Sequence, residues 1–316
     1  MPSRAWSAAV IAALLLALPA GACVRAQGSQ ASAPDAAQRA DTAALRSALE
    51  SLAEAHHGVV GYAVHNLETG ERLTRRGDET FSTASLIKVP ILVTVYDLVE
   101  RGRLSLDDRL TVLAIDKVPG SGLLQHLHDG AEITVRDAAW LMTTISDNTA
   151  TNLLLDRIII RRVWEKMESL GLMNTKVHSK SFLRSSSVAM DSSAKYGLGV
   201  TTPNEMARLF ELMAEGKTVS ASADSSMIVM LEHNTDDVML QRYVSGAGAA
   251  HKTGATNSVR TECTLWRLPA RVVACVMTKD NEDTRWVLDN EAQVTMARLG
   301  EVIAKAWRAP AAAGAP

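Results

Sequence analysis

Ser85 and Lys88 are the pair of residues in this sequence best suited to chemistry. Side chains three positions apart on a helix project from one face, so the lysine amine lies close to the serine hydroxyl. The apolar residues Ile91, Val95 and Leu98 follow at helical spacing, which predicts that Ser85 sits in the first turn of a buried helix. Free backbone N–H groups can stabilise an anion there. A serine hydroxyl needs a base to become a nucleophile, and Lys88 is the nearest candidate.

The Ser-x-x-Lys pattern alone is weak evidence, because a second copy at 192–195 lies in a polar stretch with no apolar helix after it. Two further triplets strengthen the first copy: Ser-Asp-Asn at 146–148 and Lys-Thr-Gly at 252–254. Each triplet is expected by chance in only roughly one chain in twenty. Chance is therefore a poor explanation for all three motifs in this order.

The composition sets the broad class of protein. The chain has 316 residues, of which 47% are hydrophobic, so one large domain or two intimate lobes can form around a sizeable core. The formal net charge is −2, and the absence of a basic patch argues against a nucleic-acid partner. No Cys and His spacing suggests a metal site, so we expect no cofactor. We also expect a monomer.

The N-terminus is typical of an export signal. Arg4 is the positive start, residues 8–20 form an apolar stretch too short to span a bilayer comfortably, and Ala-Gly-Ala at 20–22 is a cleavage site before Cys23. Cleavage there, or after 24–26, would give a secreted protein, whereas acylation of Cys23 would give a lipoprotein. We therefore expect an exported protein, either periplasmic or lipid-anchored at the envelope, with Cys23 as its only membrane contact.

The chain divides into a signal peptide (1–22), a disordered tether (23–41), one folded domain (42–308) and a disordered tail (309–316). We predict an α/β (α+β) fold in which both chain ends build a five-stranded antiparallel sheet flanked by helices, with an all-helical lobe inserted between them. The predicted elements are helices at 42–55, 134–145, 149–158, 162–170, 202–215, 222–232 and 284–307, strands at 59–66, 72–74, 251–257, 260–268 and 271–278, and a long irregular loop at 173–200.

Cys263 and Cys275 lie symmetrically about a predicted turn at 267–271. If both arms are antiparallel strands, the two cysteines face each other, and an exported protein permits a disulfide. Directly opposed strand positions strain that bond, so a disulfide and a pair of buried thiols are both open.

The order and spacing of the motifs resemble the penicillin-interacting serine hydrolases, and class A β-lactamases above all. This resemblance implies the β-lactamase/transpeptidase-like fold and a small-molecule partner, either a β-lactam or a D-Ala-D-Ala-like peptide. It runs from about Thr42 to Trp307 and is specific at 81–92 (FSTASLIKVPIL), 141–155 (LMTTISDNTATNLLL), 199–209 (GVTTPNEMARL) and 250–260 (AHKTGATNSVR).

The resemblance also implies catalytic roles. Ser85 attacks the strained amide and becomes an acyl-ester, while Lys88, held neutral by burial and by a neighbouring cation, takes its proton. Ser146 relays a proton between Lys252 and the leaving nitrogen. Lys252 supplies the second positive charge, which depresses the pKa of Lys88 and attracts an anionic substrate.

The remaining implied roles concern substrate binding. Asn148 donates to a substrate carbonyl and accepts from the lysine of the first motif. Thr253 and Arg260 reach a substrate carboxylate, and Gly254 belongs to the same binding strand. The backbone N–H groups of Ala255 and of the nucleophile form the oxyanion hole.

The family pattern fails in one place. β-Lactamases of this class carry a Glu in the loop after the Ser-Asp-Asn helix, and with an Asn partner it holds the water that cleaves the acyl-ester. Between Glu168 and Glu205 this chain has no Glu, and its longer, basic loop contains Asp191 as its sole carboxylate. Three outcomes stay open: β-lactam hydrolysis with Asp191 or Lys88 positioning the water, a D,D-peptidase acting on peptidoglycan stem peptides, or acyl-ligand binding without turnover.

Structural explanations of the motifs remain as alternatives. The triplet at 146–148 could simply cap a helix, and Asp147 in particular is expected to bond nearby backbone. A non-catalytic interaction module is a further alternative, and it predicts that Ser85, Lys88 and Lys252 do not converge.

Overall fold

The computed structural model describes residues 41–308. The predicted signal peptide, the possible lipid anchor at Cys23, all but the last residue of the tether and the tail lie outside the described residues. Within 41–308, no helix combines the length and the apolar character that crossing a bilayer requires.

Helices and strands follow the predicted order. The helices are α1 (Thr42–Glu54), α2 (Lys88–Glu100), α3 (Val135–Thr144), α4 (Asn148–Ile158), α5 (Ile160–Ser169), α6 (Met190–Tyr196), α7 (Pro203–Ala214), α8 (Ala221–Glu232) and α9 (Glu291–Ala306). The strands are β1 (Val59–Asn66), β2 (Arg72–Arg75), β3 (Phe81–Ser82), β4 (Arg109–Val112), β5 (Ala131–Thr134), β6 (Lys176–Val177), β7 (Gly199–Thr201), β8 (Gly248–Ala255), β9 (Arg260–Arg267) and β10 (Arg271–Lys279).

The main sheet has five antiparallel strands in the order β2-β1-β10-β9-β8, so both ends of the domain build it, as predicted. Side chains of β10 alternate between two buried apolar clusters. Its even-numbered residues from 272 to 276 pack with α1 and α9, and its odd-numbered residues from 273 to 277 join the core of the helical lobe. Helices therefore cover both faces of the sheet, which explains why its central strands are almost continuously buried.

The disulfide question is answered by the sheet register. Cys263 on β9 is the direct partner of Cys275 on β10, and the two buried sulfurs are bonded. The bond therefore joins neighbouring strands on the helical-lobe side of the sheet.

Three predictions differ from the structure. The inserted lobe is not all-helical, because it also contains parts of two small antiparallel sheets, β4-β5 and β3-β7-β6, whose strands of two to four residues are too short to give a clear pattern. The closing helix begins at Glu291 rather than at 284, because the Asn290 side chain accepts the Gln293 backbone N–H (3.3 Å) and caps the helix there. The loop at 173–200 is not fully irregular, since it contains β6, α6 and β7. These pieces of two, seven and three residues are too short to produce a clear hydrophobic period.

Candidate active site

Ser85 lies in a 3-10 turn, Ala84–Ile87, that continues directly into α2. Side chains three apart eclipse each other in 3-10 geometry, so the turn stacks Ser85 above Lys88 more directly than an α-helix would. Pro90 explains the tight first turn, because it lacks the N–H that an α-helical bond at this position requires. The serine is half-buried and lines an open cleft.

Lys88 is buried, and its amine contacts the second motif. Its Nζ atom lies 2.7 Å from the Ser146 carbonyl oxygen, 3.0 Å from the Ser146 hydroxyl and 2.9 Å from Asn148 Oδ1. Burial, and after it the positive charge of Lys252, hold the pKa of Lys88 well below its ordinary value; Asp147 acts weakly in the opposite direction. A lowered pKa favours the neutral amine, which is the form that can accept a proton.

The second motif occupies the break between α3 and α4. Asp147 caps α4 by accepting the Ala150 N–H (2.8 Å), and its other oxygen accepts the N–H groups of Leu123 and Leu124 (2.7 and 2.9 Å). This confirms the prediction that Asp147 bonds backbone. Capping accounts for Asp147 alone. Its neighbours Ser146 and Asn148 direct polar atoms at Lys88.

The third motif approaches Ser85 from β8. Lys252 is 1% exposed, and burial lowers its pKa to about 8 against the opposing charges of Asp236 and Glu262. Gly254 lies under the 3-10 turn, where an added Cβ would come within 2.4 Å of the Thr83 carbonyl oxygen. Only glycine fits there without moving the turn, so Gly254 positions Ser85 rather than lining the cleft.

Two predicted binding residues point elsewhere. The Thr253 hydroxyl donates to Asp236 Oδ2 (2.7 Å). Arg260 is fully buried, and its guanidinium donates to the carbonyl oxygens of Thr256, Val259 (2.8 Å) and Arg285 (3.2 Å). This geometry does not support the prediction that Arg260 reaches a substrate carboxylate, because both terminal nitrogens of the guanidinium already donate to backbone carbonyls.

The cleft at Ser85 has a volume of about 680 Å³. One side carries the end of β8 and the exposed ring of Trp286, whose indole N–H donates to Asn257 Oδ1 (2.9 Å). The other side carries the exposed ring of Phe182, close to Gly120. The lining residues are Ala84, Ser85, Gly120, Ser121, Asn148, Ser181, Phe182, Leu198, Ala255, Thr256 and Trp286. Two of these, Ser85 and Ala255, were predicted to supply the oxyanion hole.

Three of the six non-glycine residues with a left-handed φ within 41–308 lie at or beside the cleft. Ala84, Ser146 and Phe182 adopt left-handed φ angles of +45°, +57° and +57°. Such angles cost about 1–3 kcal/mol each in non-glycine residues and persist where the surroundings enforce them. Each of these residues adjoins a cleft residue or contacts the lysine, so the strain coincides with the candidate site.

The 173–200 loop, where the family's Glu is absent, forms one wall of the cleft, but sequence reasoning did not predict how that wall is held. Asn152 clamps that wall: its Nδ2 donates to the Ser181 carbonyl (3.0 Å), and its Oδ1 accepts the Ser181 N–H (2.7 Å). Asn152 lies four residues after Asn148 on α4, so helical spacing alone could have identified it. No comparable sequence pattern identified Ser181, the loop residue that Asn152 holds.

The charged residues of this loop face away from the cleft. Asp191 is exposed on α6, and it does not line the cleft. Lys176 and Lys180 pair with Glu168 and Asp156. In the second Ser-x-x-Lys copy, the Lys195 ammonium lies over the Tyr196 ring instead of beside a nucleophile.

Known proteins share this fold and these motifs. A profile described as the beta-lactamase enzyme family matches residues 44–307. A beta-lactamase of Proteus vulgaris is 27% identical over 189 residues, which span 59% of this chain and 61% of that relative. The match thus covers less than two thirds of the relative's length.

Solved structures match over more of their length. A beta-lactamase of Sphaerobacter thermophilus is 30% identical with a TM-score of 0.74, over 83% of this chain and 96% of that one. A mutant of PBP-A, captured as an acyl-enzyme complex with penicillin G, is 26% identical with a TM-score of 0.75, over 85% and 97% of the two chains. The chain belongs to the beta-lactamase enzyme family.

Proposed function

We propose that this chain is an exported serine hydrolase that opens β-lactam rings through an acyl-enzyme on Ser85. The observation that carries the proposal is the buried Lys88 amine, whose pKa is lowered and which is held one turn from a serine that lines an open cleft. A neutral amine in this position is a general base matched to a hydroxyl nucleophile. Family membership supports the same activity.

In the first step, Ser85 Oγ attacks the ring carbonyl carbon and its proton passes to Lys88 Nζ. The ring C–N bond then breaks, and the leaving nitrogen takes a proton from the Ser146 hydroxyl, which recovers one from Lys88 (3.0 Å). This route differs from the predicted relay through Lys252, because the contact observed at Ser146 is with Lys88. Lys252 then serves as the positive charge that attracts an anionic substrate.

The cleft is suited to a small acyl donor with an apolar side chain. Phe182 and Trp286 present rings that are 66% and 63% exposed at its rim. The backbone N–H groups of Ser85 and Ala255 are the proposed oxyanion hole, and losing one such donor typically costs about 3 kcal/mol of transition-state stabilisation. Asn148 keeps one amide hydrogen on the Pro119 carbonyl (3.1 Å), which leaves the other for a substrate carbonyl.

A D,D-peptidase is the second candidate function. Among the residues of 41–308 that line the cleft, none carries a carboxylate that could act as a strong base toward water. The similarity to PBP-A, whose mutant was trapped with penicillin G, is compatible with an enzyme that acylates readily and releases slowly.

Both functions can be tested in one series. The protein is mixed with penicillin G or a chromogenic cephalosporin, intact mass is followed over time, and the adduct is located by peptide mapping. We expect a covalent adduct on Ser85, followed by release of hydrolysed product, and neither in Ser85→Ala. An adduct equally abundant in Ser85→Ala would refute the proposal, while cleavage of D-Ala-D-Ala peptides with no β-lactam turnover would favour the peptidase.

We propose export to the periplasm or the envelope on the basis of the sequence of residues 1–23. A β-lactam or stem peptide is encountered outside the cytoplasm, so this location agrees with the proposed substrates. Fractionation with metabolic palmitate labelling, compared between wild type and Cys23→Ser, tests whether an acyl anchor is added.

A further inference from the structure

We propose that Ser181 binds the water molecule that cleaves the acyl-ester on Ser85. This inference rests on the proposed function, because it concerns the second half of the same reaction. It assigns the water-positioning role to a neutral hydroxyl on the cleft wall that lacks a carboxylate.

The first observation is that Ser181 is fixed relative to the catalytic lysine. Both backbone polar groups of Ser181 are bonded to the Asn152 side chain. Asn152 lies one helical turn from Asn148, and Asn148 Oδ1 contacts Lys88 Nζ at 2.9 Å. Helix α4 therefore contacts both the Lys88 amine and the Ser181 backbone.

The second observation is the state of the Ser181 hydroxyl. Ser181 is 5% exposed, and its Oγ has no hydrogen-bond partner among the described residues. Leaving a buried hydroxyl unpaired typically costs about 1–3 kcal/mol. Ser181 lines the same cleft as Ser85, and a water molecule in the cleft is the partner that we assign to this hydroxyl. Phe182, the next residue, has a left-handed φ of +57° and is 66% exposed, whereas Ser181 is buried.

The third observation excludes Asp191, the other candidate for positioning the water. Asp191 is exposed on α6 and lies outside the cleft lining. Of the loop residues that line the cleft, Ser181 is then the one with a polar side chain that can orient a water, and the Lys88 amine is the base that can take its proton. A water held by Ser181 attacks the ester carbon and gives a proton to Lys88. The bond from that carbon to Ser85 Oγ breaks, and Lys88 returns the proton to Ser85, leaving a free carboxylic acid.

This arrangement predicts slow release. A hydroxyl can orient water but cannot take its proton at neutral pH, so the step depends on a lysine that already serves acylation. Acylation should therefore be faster than hydrolysis of the ester.

The test compares Ser181→Ala, Ser181→Thr and Ser187→Ala with wild type, using penicillin G and intact mass. Acylation rate and adduct lifetime are measured separately. In Ser181→Ala we expect an acylation rate within about twofold of wild type and an adduct lifetime at least about tenfold longer, the lower bound for losing a positioned proton-transfer partner. Ser181→Thr keeps the hydroxyl and should restore turnover.

Ser187→Ala is the matched control, because it removes a hydroxyl of the same loop that bonds Ser193 rather than facing the cleft. It should leave both rates near wild type. Equal adduct lifetimes in Ser181→Ala and wild type would overturn the inference, as would a wild-type adduct that never decays or a defect confined to acylation. Failure of the wild type to form any adduct would instead overturn the proposed function.

Discussion

The two sides of the cleft differ in polarity. On the side of α2, α4 and β8, two buried lysines lie close enough for the charge of Lys252 to lower the pKa of Lys88. Every hydrogen-bonding contact of the Lys88 amine is within 3.0 Å. On the side of the 173–200 loop, the lining offers a hydroxyl and apolar groups, and Lys176 and Lys180 pair with acids outside the cleft lining.

The comparison indicates that forming and cleaving an acyl-ester make separate demands on a protein. The first side carries the groups that acylation needs. The second side also holds its polar residue, Ser181, in place, but the Ser181 hydroxyl is a weaker proton acceptor than the Lys88 amine.

Lys88→Ala removes the proposed base from the first side. General-base catalysis typically contributes about 10²- to 10⁴-fold, so the acylation rate should fall by that factor. Stopped-flow measurement with a chromogenic cephalosporin gives this rate directly. Because the second side is untouched, acylation within tenfold of wild type would show that another group activates the serine.

The pH profile of acylation tests the two lysines together. Below the depressed pKa of Lys88 the amine is protonated and cannot accept a proton, so the rate falls toward acid. Above about 8 Lys252 loses its proton and its charge, so the rate falls toward base, by tenfold per pH unit for an obligatory group. A rate that is flat from pH 7 to pH 10 would contradict the role given to Lys252.

Gly254→Ala moves the nucleophile without touching either lysine. The new Cβ would lie 2.4 Å from the Thr83 carbonyl oxygen and 2.8 Å from the Leu86 nitrogen, so the turn that carries Ser85 must shift. Overpacking of this kind typically costs about 1–3 kcal/mol, which should appear as a lower melting temperature and slower acylation. Gly248→Ala on the same strand is the control, because its nearest neighbour would be an Arg267 side-chain atom at 3.8 Å. Equal behaviour of the two variants would argue against a positioning role for Gly254.

Asn152→Ala loosens the second side. Ser181 loses the partners of both its backbone N–H and its carbonyl, at a cost of about 1–3 kcal/mol. We expect a several-fold longer adduct lifetime with a smaller change in acylation. Asn152→Asp retains the acceptor for the Ser181 N–H and should lie between wild type and the alanine variant. A change confined to acylation would mean that the clamp serves the first side instead.

The sequence predicted the first side better than the second for a physical reason. Ser85, Lys88 and the triplets at 146–148 and 252–254 lie on regular elements, whose period fixes where a side chain projects. The five-stranded sheet could be predicted from alternation and turns for the same reason. Arg260 shows the limit of this reasoning: its strand position is right, but nearby backbone carbonyls determine where the guanidinium points.

The loop wall could not be predicted in this way. Ser181 lines the cleft, a left-handed residue follows it, and an amide on helix α4 holds its backbone. Neither feature produces a periodic pattern. The missing Glu between Glu168 and Glu205 could be read from the sequence, but the residue that replaces it could be identified only from contacts in space.

The most direct test of the whole account is a pre-steady-state measurement of chromogenic cephalosporin opening by the wild-type protein. The account predicts a fast burst of one ring opened per protein molecule, followed by a slower steady state limited by cleavage of the acyl-ester. Steady hydrolysis with no burst would mean that the second side is not limiting. The absence of any ring opening would mean that the first side is not an acylation site.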